Sequence, residues 1–185
     1  YKTPLGIQSF DQQVFEVKED EPSPRAMFVI EGQNTIGVQF LDLEYLFDKR
    51  KGLVSIRFND EEILKESPRP VFYRALTDND RGAKETFASW MNASLFQHVT
   101  DFKMVRNSKC AQFMYTIKLE SIDEPCKLVY TVYNNQNIQI QMHMDKNSKR
   151  QTIPLFGIEF ALKDAFNNFA YFGKGEKDTY ADRNH

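Results

Sequence analysis

Pro70-Val71-Phe72-Tyr73-Arg74-Ala75-Leu76-Thr77-Asp78-Asn79-Asp80-Arg81-Gly82 changes character halfway along its length. The first half is an apolar, aromatic run suited to a strand entering a packed core. Within three residues it becomes Thr-Asp-Asn-Asp, whose short polar side chains bond nearby backbone and favour turns. Gly82 closes the stretch, where the backbone needs freedom or close approach. Arg74 on the strand side and Asp78 and Asp80 on the turn side are placed for a charge-assisted clamp. Three readings compete: a turn whose carboxylates cap backbone N–H groups and pair with Arg74, a calcium loop, and a catalytic carboxylate pair. The calcium frame D-x-[DN]-x-[DN]-G with its distal Glu does not fit this spacing. Hydrolytic carboxylates face each other across a substrate, whereas these share one tight turn. The structural turn leads.

Outward from that stretch, the chain reads as sheet. Thr35–Phe47, Val99–Arg106, Ala111–Glu120, Lys127–Tyr133, Asn137–Asp145, Leu155–Lys163 and Asn168–Phe172 are predicted strands, as is the short Phe28–Glu31. Ile138, Ile140, Met142 and Met144 alternate with Gln139, Gln141, His143 and Asp145, the pattern of a half-buried antiparallel strand. Asp48–Gly52 and Asn59-Asp60 read as turns around a strand whose apolar residues fall at Val54, Ile56 and Phe58. One helix is predicted, over Ala83–Gln97, with Phe87, Trp90, Met91, Ser94 and Leu95 on one face. That face reads first as core; the sharper alternative makes Trp90 a sugar-stacking platform.

Ahead of this sheet, Ile7–Val17 reads as a strand and Glu19–Arg25 as a charged linker whose prolines bar a central strand. A strand before such a linker suits the end of a preceding domain.

At 185 residues the chain is long enough for a domain that buries about 70% of its unfolded surface. Twenty-six acids against 24 bases leave a net charge of −2, no case for nucleic acid or an anionic membrane as partner. No apolar run approaches the roughly 20 residues of a membrane helix, and no signal-peptide pattern is legible. The chain opens on Tyr1 rather than Met, which leaves an upstream signal open. Aromatic enrichment favours sheet. A hairpin loop centred near Ser121–Asp123 would set Cys126 opposite Leu119 and away from Cys110, so both cysteines read as free thiols of a reducing compartment. His98, His143 and His185 form no ligand-spaced pair.

Arg74-Ala75-Leu76-Thr77-Asp78-Asn79-Asp80-Arg81-Gly82 closely resembles the R-A-P-T-D-N-D-x-G signature of the small-chain, fifth domain of glycoside hydrolase family 2 β-galactosidases, with Leu76 in place of proline. Phe172-Gly173-Lys174-Gly175-Glu176-Lys177-Asp178-Thr179-Tyr180-Ala181-Asp182-Arg183 resembles the family's G-R-G-P-x-E-x-Y-x-D-R segment. It keeps Gly173, Gly175, Tyr180, Asp182 and Arg183, while Glu176 and Asp178 depart from the pattern. Ser9–Gln13 is similar to the A-W-x-Q segment that closes the preceding immunoglobulin-like domain.

The resemblance implies residues 1–18 as the last strand of that domain, 19–27 as linker and 28–185 as the N-terminal part of the small-chain domain. It implies an all-β antiparallel sandwich of the galactose-mutarotase-like kind, incomplete at its C-terminus, with one short helix. It implies part of a retaining β-galactosidase acting on lactose-like glycosides, with its catalytic glutamates and magnesium ligands in a (β/α)8 barrel elsewhere. This chain then carries no catalytic residue, metal or cofactor. Arg81, Gly82, Ala83 and Lys84 become a wall or gating loop of the sugar site. Arg74, Thr77, Asp78, Asn79 and Asp80 become scaffold, together with the five retained residues of the second motif. The implied partners are the barrel domain or a large subunit, the β-galactoside substrate, and further copies in a homo-oligomer, in the cytoplasm. Two other readings remain: a carbohydrate-binding sandwich with no catalytic assembly, and a mutarotase-like epimerase.

Overall fold

The computed structural model describes residues 24–78, 80, 87–145 and 152–168. Its described residues include eleven strands and a helix over 88–95. β1 (Phe28–Glu31), β2 (Thr35–Gln39), β3 (Leu43–Asp48), β4 (Gly52–Phe58) and β5 (Glu61–Glu62) form an antiparallel meander in chain order. After β6 (Leu64–Val71) and α1 (Ala88–Leu95), β7 (Gln97–Arg106), β8 (Cys110–Leu119), β9 (Ile122–Tyr133) and β10 (Ile138–Met144) form a second meander. β11 (Gly157–Leu162) returns to pair antiparallel with β6. The described residues form an all-β antiparallel sandwich with a short helix.

Aromatic side chains join the two large sheets. Phe47 of β3 stacks on Phe113 of β8 with ring centroids 3.9 Å apart and meets Tyr130 of β9 edge-on at 5.5 Å. Polar tips of the same layer reach across it: Tyr115 Oη donates to Asp48 O at 3.1 Å and Tyr45 Oη to Gln136 O at 2.8 Å. Burial pushes the Tyr45 phenol up to about 12, so both tyrosines act here as neutral donors.

The turns follow their residues. The Asp48 carboxylate accepts the Arg50 and Lys51 amides at 2.7 and 3.0 Å, and Gly52 takes φ +87°. A side chain at Gly52 would meet the buried Tyr130 hydroxyl. Asn59 and Asp60 both have positive φ, the twist that a two-residue hairpin loop requires. Glu62 stitches the next corner: its carboxylate accepts from the Ser55 hydroxyl and the Ile56 and Leu64 amides. Burial alone would raise its pKa, but those donors, with the Lys163 charge, hold it below the usual value.

Several sequence expectations need correction. Thr35–Phe47 is two strands, because Phe40 N–H bonds Leu43 O and turns the chain between them. The face predicted at Val54, Ile56 and Phe58 is broken by a register shift between Leu46 and Phe47, opposite Ser55 and Leu53. One extra residue moves the side chains beyond it to the other face. Leu53 is therefore fully buried on the face the alternation gives to Val54, while Phe58, the last residue of β4, is 48% exposed. The run expected to enter the core as a strand from Pro70 ends as strand at Val71; the strand lies earlier, over Leu64–Val71, with Pro68 and Pro70 inside it. Two prolines are tolerated because, among the described residues, β6 has a single ladder partner, β11.

On the helix, Trp90, Ala93 and Ser94 are buried with Phe87, while Met91 and Leu95 face outward. The predicted apolar face is rotated because Ser94 Oγ is drawn inward. It accepts the Phe72 amide at 2.8 Å and donates to Trp90 O at 2.9 Å. The β8–β9 loop is tighter than expected, so Cys126 lies opposite Ile117 and Cys110 opposite Tyr133, both as free thiols. The strand expected at 7–17 and the start of the predicted helix at 83–86 lie outside the described residues, as does nearly all of 168–172. Of the linker, Arg25 is bound to the sandwich, its amide on Asn134 O at 2.7 Å and its guanidinium 3.4 Å from Asp42.

Candidate functional site

Thr77 to Asp80 closes on itself as a helix start. Asp78 and Asp80 have helical backbone. The Asp80 carboxylate accepts the Thr77 amide at 2.8 Å and the Thr77 hydroxyl at 2.8 Å, while the Asp80 amide points back to Thr77 Oγ1 at 3.4 Å. This is a reciprocal capping box, in which a Thr and an acid three residues later satisfy each other's orphan donors. The T-x-x-D spacing was the available signal, and a turn reading of the same residues passes over it.

Arg74 fastens this helix start to the rest of the molecule. Its Nη1 lies 2.7 Å from Asp80 Oδ2 and its Nη2 3.4 Å from Oδ1, a two-point contact. The same guanidinium donates from Nε to Pro154 O at 3.0 Å and from Nη1 to Ala75 O at 3.0 Å. The residues leading into β11 are thereby tied to the Thr77–Asp80 box across 80 positions of sequence. The Arg74 hydrogen bond, then the Thr77 amide and hydroxyl, hold the Asp80 carboxyl down at about 2. The pair is not sealed from water: the Arg74 side chain is 38% exposed and that of Asp80 18%.

The described residues thus bring together Arg74, Thr77 and Asp80, with Asp78 exposed at the first helical position. Asn79, Arg81, Gly82, Ala83 and Lys84 lie outside the described residues, as do Gly173, Gly175, Tyr180, Asp182 and Arg183. Trp90 is 1% exposed and tilts against Phe72 with centroids 6.0 Å apart, so its indole face is core and offers nothing to a sugar. His143 sits beside Asp145 at 3.1 Å on an exposed edge and His98 is on a different strand. Among the described residues no three His, Cys, Asp or Glu side chains converge as metal ligands, and no helix is long and apolar enough to cross a membrane. The Asp80 carboxylate is engaged with the Arg74 guanidinium and with the Thr77 amide and hydroxyl.

A family model described as the β-galactosidase small chain matches residues 40–185. The chain is similar to a β-galactosidase of Clostridium acetobutylicum, 31% identical over 182 residues that make up 95% of this chain and 20% of that protein. It is similar to a β-galactosidase of Streptococcus thermophilus, 30% identical over 174 residues, 92% of this chain and 17% of that protein. A β-galactosidase small subunit of Latilactobacillus sakei is 28% identical over 184 residues, 86% of this chain and 57% of that subunit. The chain therefore spans about a fifth of the first two relatives and little more than half of the third.

Proposed function

This chain belongs to the β-galactosidase small-chain family, and from that premise we propose that it is the sandwich part of a retaining β-galactosidase of glycoside hydrolase family 2. In this reading it completes the wall of the sugar site and supplies none of the chemistry. Retaining hydrolysis needs two carboxyl groups about 5–5.5 Å apart across the glycosidic bond. Those groups are assigned to a barrel domain or large subunit, with the magnesium ligands. The observation that carries the reading is the Arg74–Asp80 contact. It ties the helix start to the Pro154 carbonyl, so that Arg81–Lys84, next in sequence, set out from a held point. A glycine-bearing stretch next in sequence to that contact suits a gate over a galactoside, altering turnover and affinity without touching the reacting bond.

The assembly is proposed to be oligomeric and cytoplasmic, acting on lactose-like glycosides. Support for association comes from the apolar side chains left at the surface, Phe28 and Ile30 on edge strand β1 and Phe156 and Phe160 around β11. The test is complementation. Purified chain, a matching barrel-bearing polypeptide and the mixture are assayed for hydrolysis of a chromogenic β-galactoside. Activity in the mixture well above the sum of the parts is the expected result. Robust hydrolysis by this chain alone, or a barrel polypeptide fully active without any small-chain sequence, overturns the assignment.

A further inference from the structure

The β9–β10 hairpin carries a shallow, solvent-open cleft of about 460 Å³ lined by Tyr133, Asn135, Asn137, Ile138 and Gln139. That volume is within the usual range for small-molecule clefts. In a chain with 27% charged residues, the described residues of this lining carry no charge. It offers amides and one phenol ring instead. The polar character continues across the sheet, where Gln139 lies opposite Thr131 and Thr131 opposite Gln112, with Gln112 Nε2 donating to Thr131 Oγ1 at 3.2 Å. Tyr133 Oη donates to Gln139 Oε1 at 3.0 Å, which orients both side chains at the cleft.

The hairpin tip is held on several sides. Gln136, at φ +71°, takes a hydrogen bond from Tyr45 Oη of β3 on its carbonyl and donates its side-chain amide to Asp42 in the turn before β3. The Asn134 amide bonds Lys109 O, and the Asn134 carbonyl takes the Arg25 amide at 2.7 Å. Asn135 Oδ1 holds the Asn137 amide at 3.0 Å. A cleft built on so many anchors loses little entropy when a ligand arrives.

We propose that this cleft binds a neutral saccharide. Each Asn or Gln amide carries N–H donors beside an oxygen, and the Asn135 and Gln139 oxygens, each taking one hydrogen bond within the hairpin, keep a second lone pair, the pairing that vicinal sugar hydroxyls need. The Tyr133 ring supplies an apolar face for the C–H side of a pyranose. The uncharged character of the described lining residues tells against phosphates, nucleotides and metal ions, which need compensating charge. Binding is read on this chain and needs no barrel, so it stands or falls separately from the galactosidase assignment.

The experiment is a titration of the 15N-labelled 185-residue chain with lactose, and in parallel with sodium phosphate, followed by amide shifts. The expected result is saturable shifts at the 133–139 backbone with lactose and not with phosphate. A Kd in the millimolar range, of order 1–10 mM, is expected for so open a site. Asn137→Ala and Gln139→Ala, both at exposed positions, each raise that Kd by about fivefold, the effect of one lost hydrogen bond, with the melting temperature unchanged. Tyr133→Phe keeps the ring and weakens binding less than Gln139→Ala does. No saturable shift up to about 100 mM lactose overturns the proposal. So does saturation centred elsewhere, a phosphate response at the same residues, or a Kd indifferent to both amide variants.

Discussion

The Arg74 guanidinium meets the Asp80 carboxylate at two points, Nη1 to Oδ2 at 2.7 Å and Nη2 to Oδ1 at 3.4 Å. With its pKa lowered to about 2 against roughly 3.9 in an unfolded chain, Asp80 binds its proton more weakly when folded. A depressed folded pKa makes a contribution that is complete above the unfolded value and disappears as pH falls through the folded one. Stability should therefore decline between about pH 4 and pH 2 in part through this residue. Asp80→Asn should lower Tm by a few degrees at pH 6 and flatten the decline between pH 4 and pH 2. Parallel thermal melts of the two proteins at pH 2, 4 and 6 check this. A variant whose melts match the parent at every pH would show that the contact is a solvent-screened pair of no consequence.

Phe47 is fully buried against Phe113 and Tyr130, whereas Phe58 is 48% exposed. Phe47→Ala should cost about 3–5 kcal/mol, transfer and cavity terms together. Phe58→Ala should cost about 1 kcal/mol, half of what full burial of a large apolar side chain contributes. Urea unfolding of both variants reads the difference. Equal losses would mean that Phe58 is packed as Phe47 is.

Cys126 is fully buried, and burial pushes its thiol up to about 12, while Cys110 is only half-buried. A thiol reagent at pH 8 should label Cys110 and spare Cys126 in the folded protein, and label both in denaturant, since the reactive species is an accessible thiolate. Peptide mapping of the adducts gives the answer. Labelling of Cys126 under native conditions at the rate of Cys110 contradicts this placement.

For the gating role, the intact enzyme is the object. Gly82→Ala there should shift kcat and KM together by severalfold while leaving the melt unchanged, because a gate affects access and commitment and not folding. Steady-state kinetics on lactose with a parallel thermal melt separates the outcomes. Unaltered kinetics in a folded variant removes Arg81–Lys84 from the sugar site.

The alternation of Ile138, Ile140, Met142 and Met144, the Asp48–Gly52 and Asn59-Asp60 turns and the signature at 74–82 are all set by residues within a few positions of one another. These strands and turns and the family are therefore legible in the sequence alone, because the 2-residue period and the φ preferences of Gly, Asn and Asp are local properties. Which face is buried is a different matter. The shift opposite Leu46 and Phe47 buries Leu53 in place of Val54, and only the partner strand sets that register. Ser94 turns α1 because the Phe72 amide beyond β6 needs an acceptor, a demand that neither segment announces by itself. The strand character of Leu64–Val71, with its two prolines, exists because β11 arrives from far along the chain to pair with it. The box at Thr77–Asp80 could be read in sequence order, but its tie through Arg74 to the Pro154 carbonyl could not. An 80-residue separation leaves no local trace, and only the packed sandwich brings those groups within hydrogen-bonding distance.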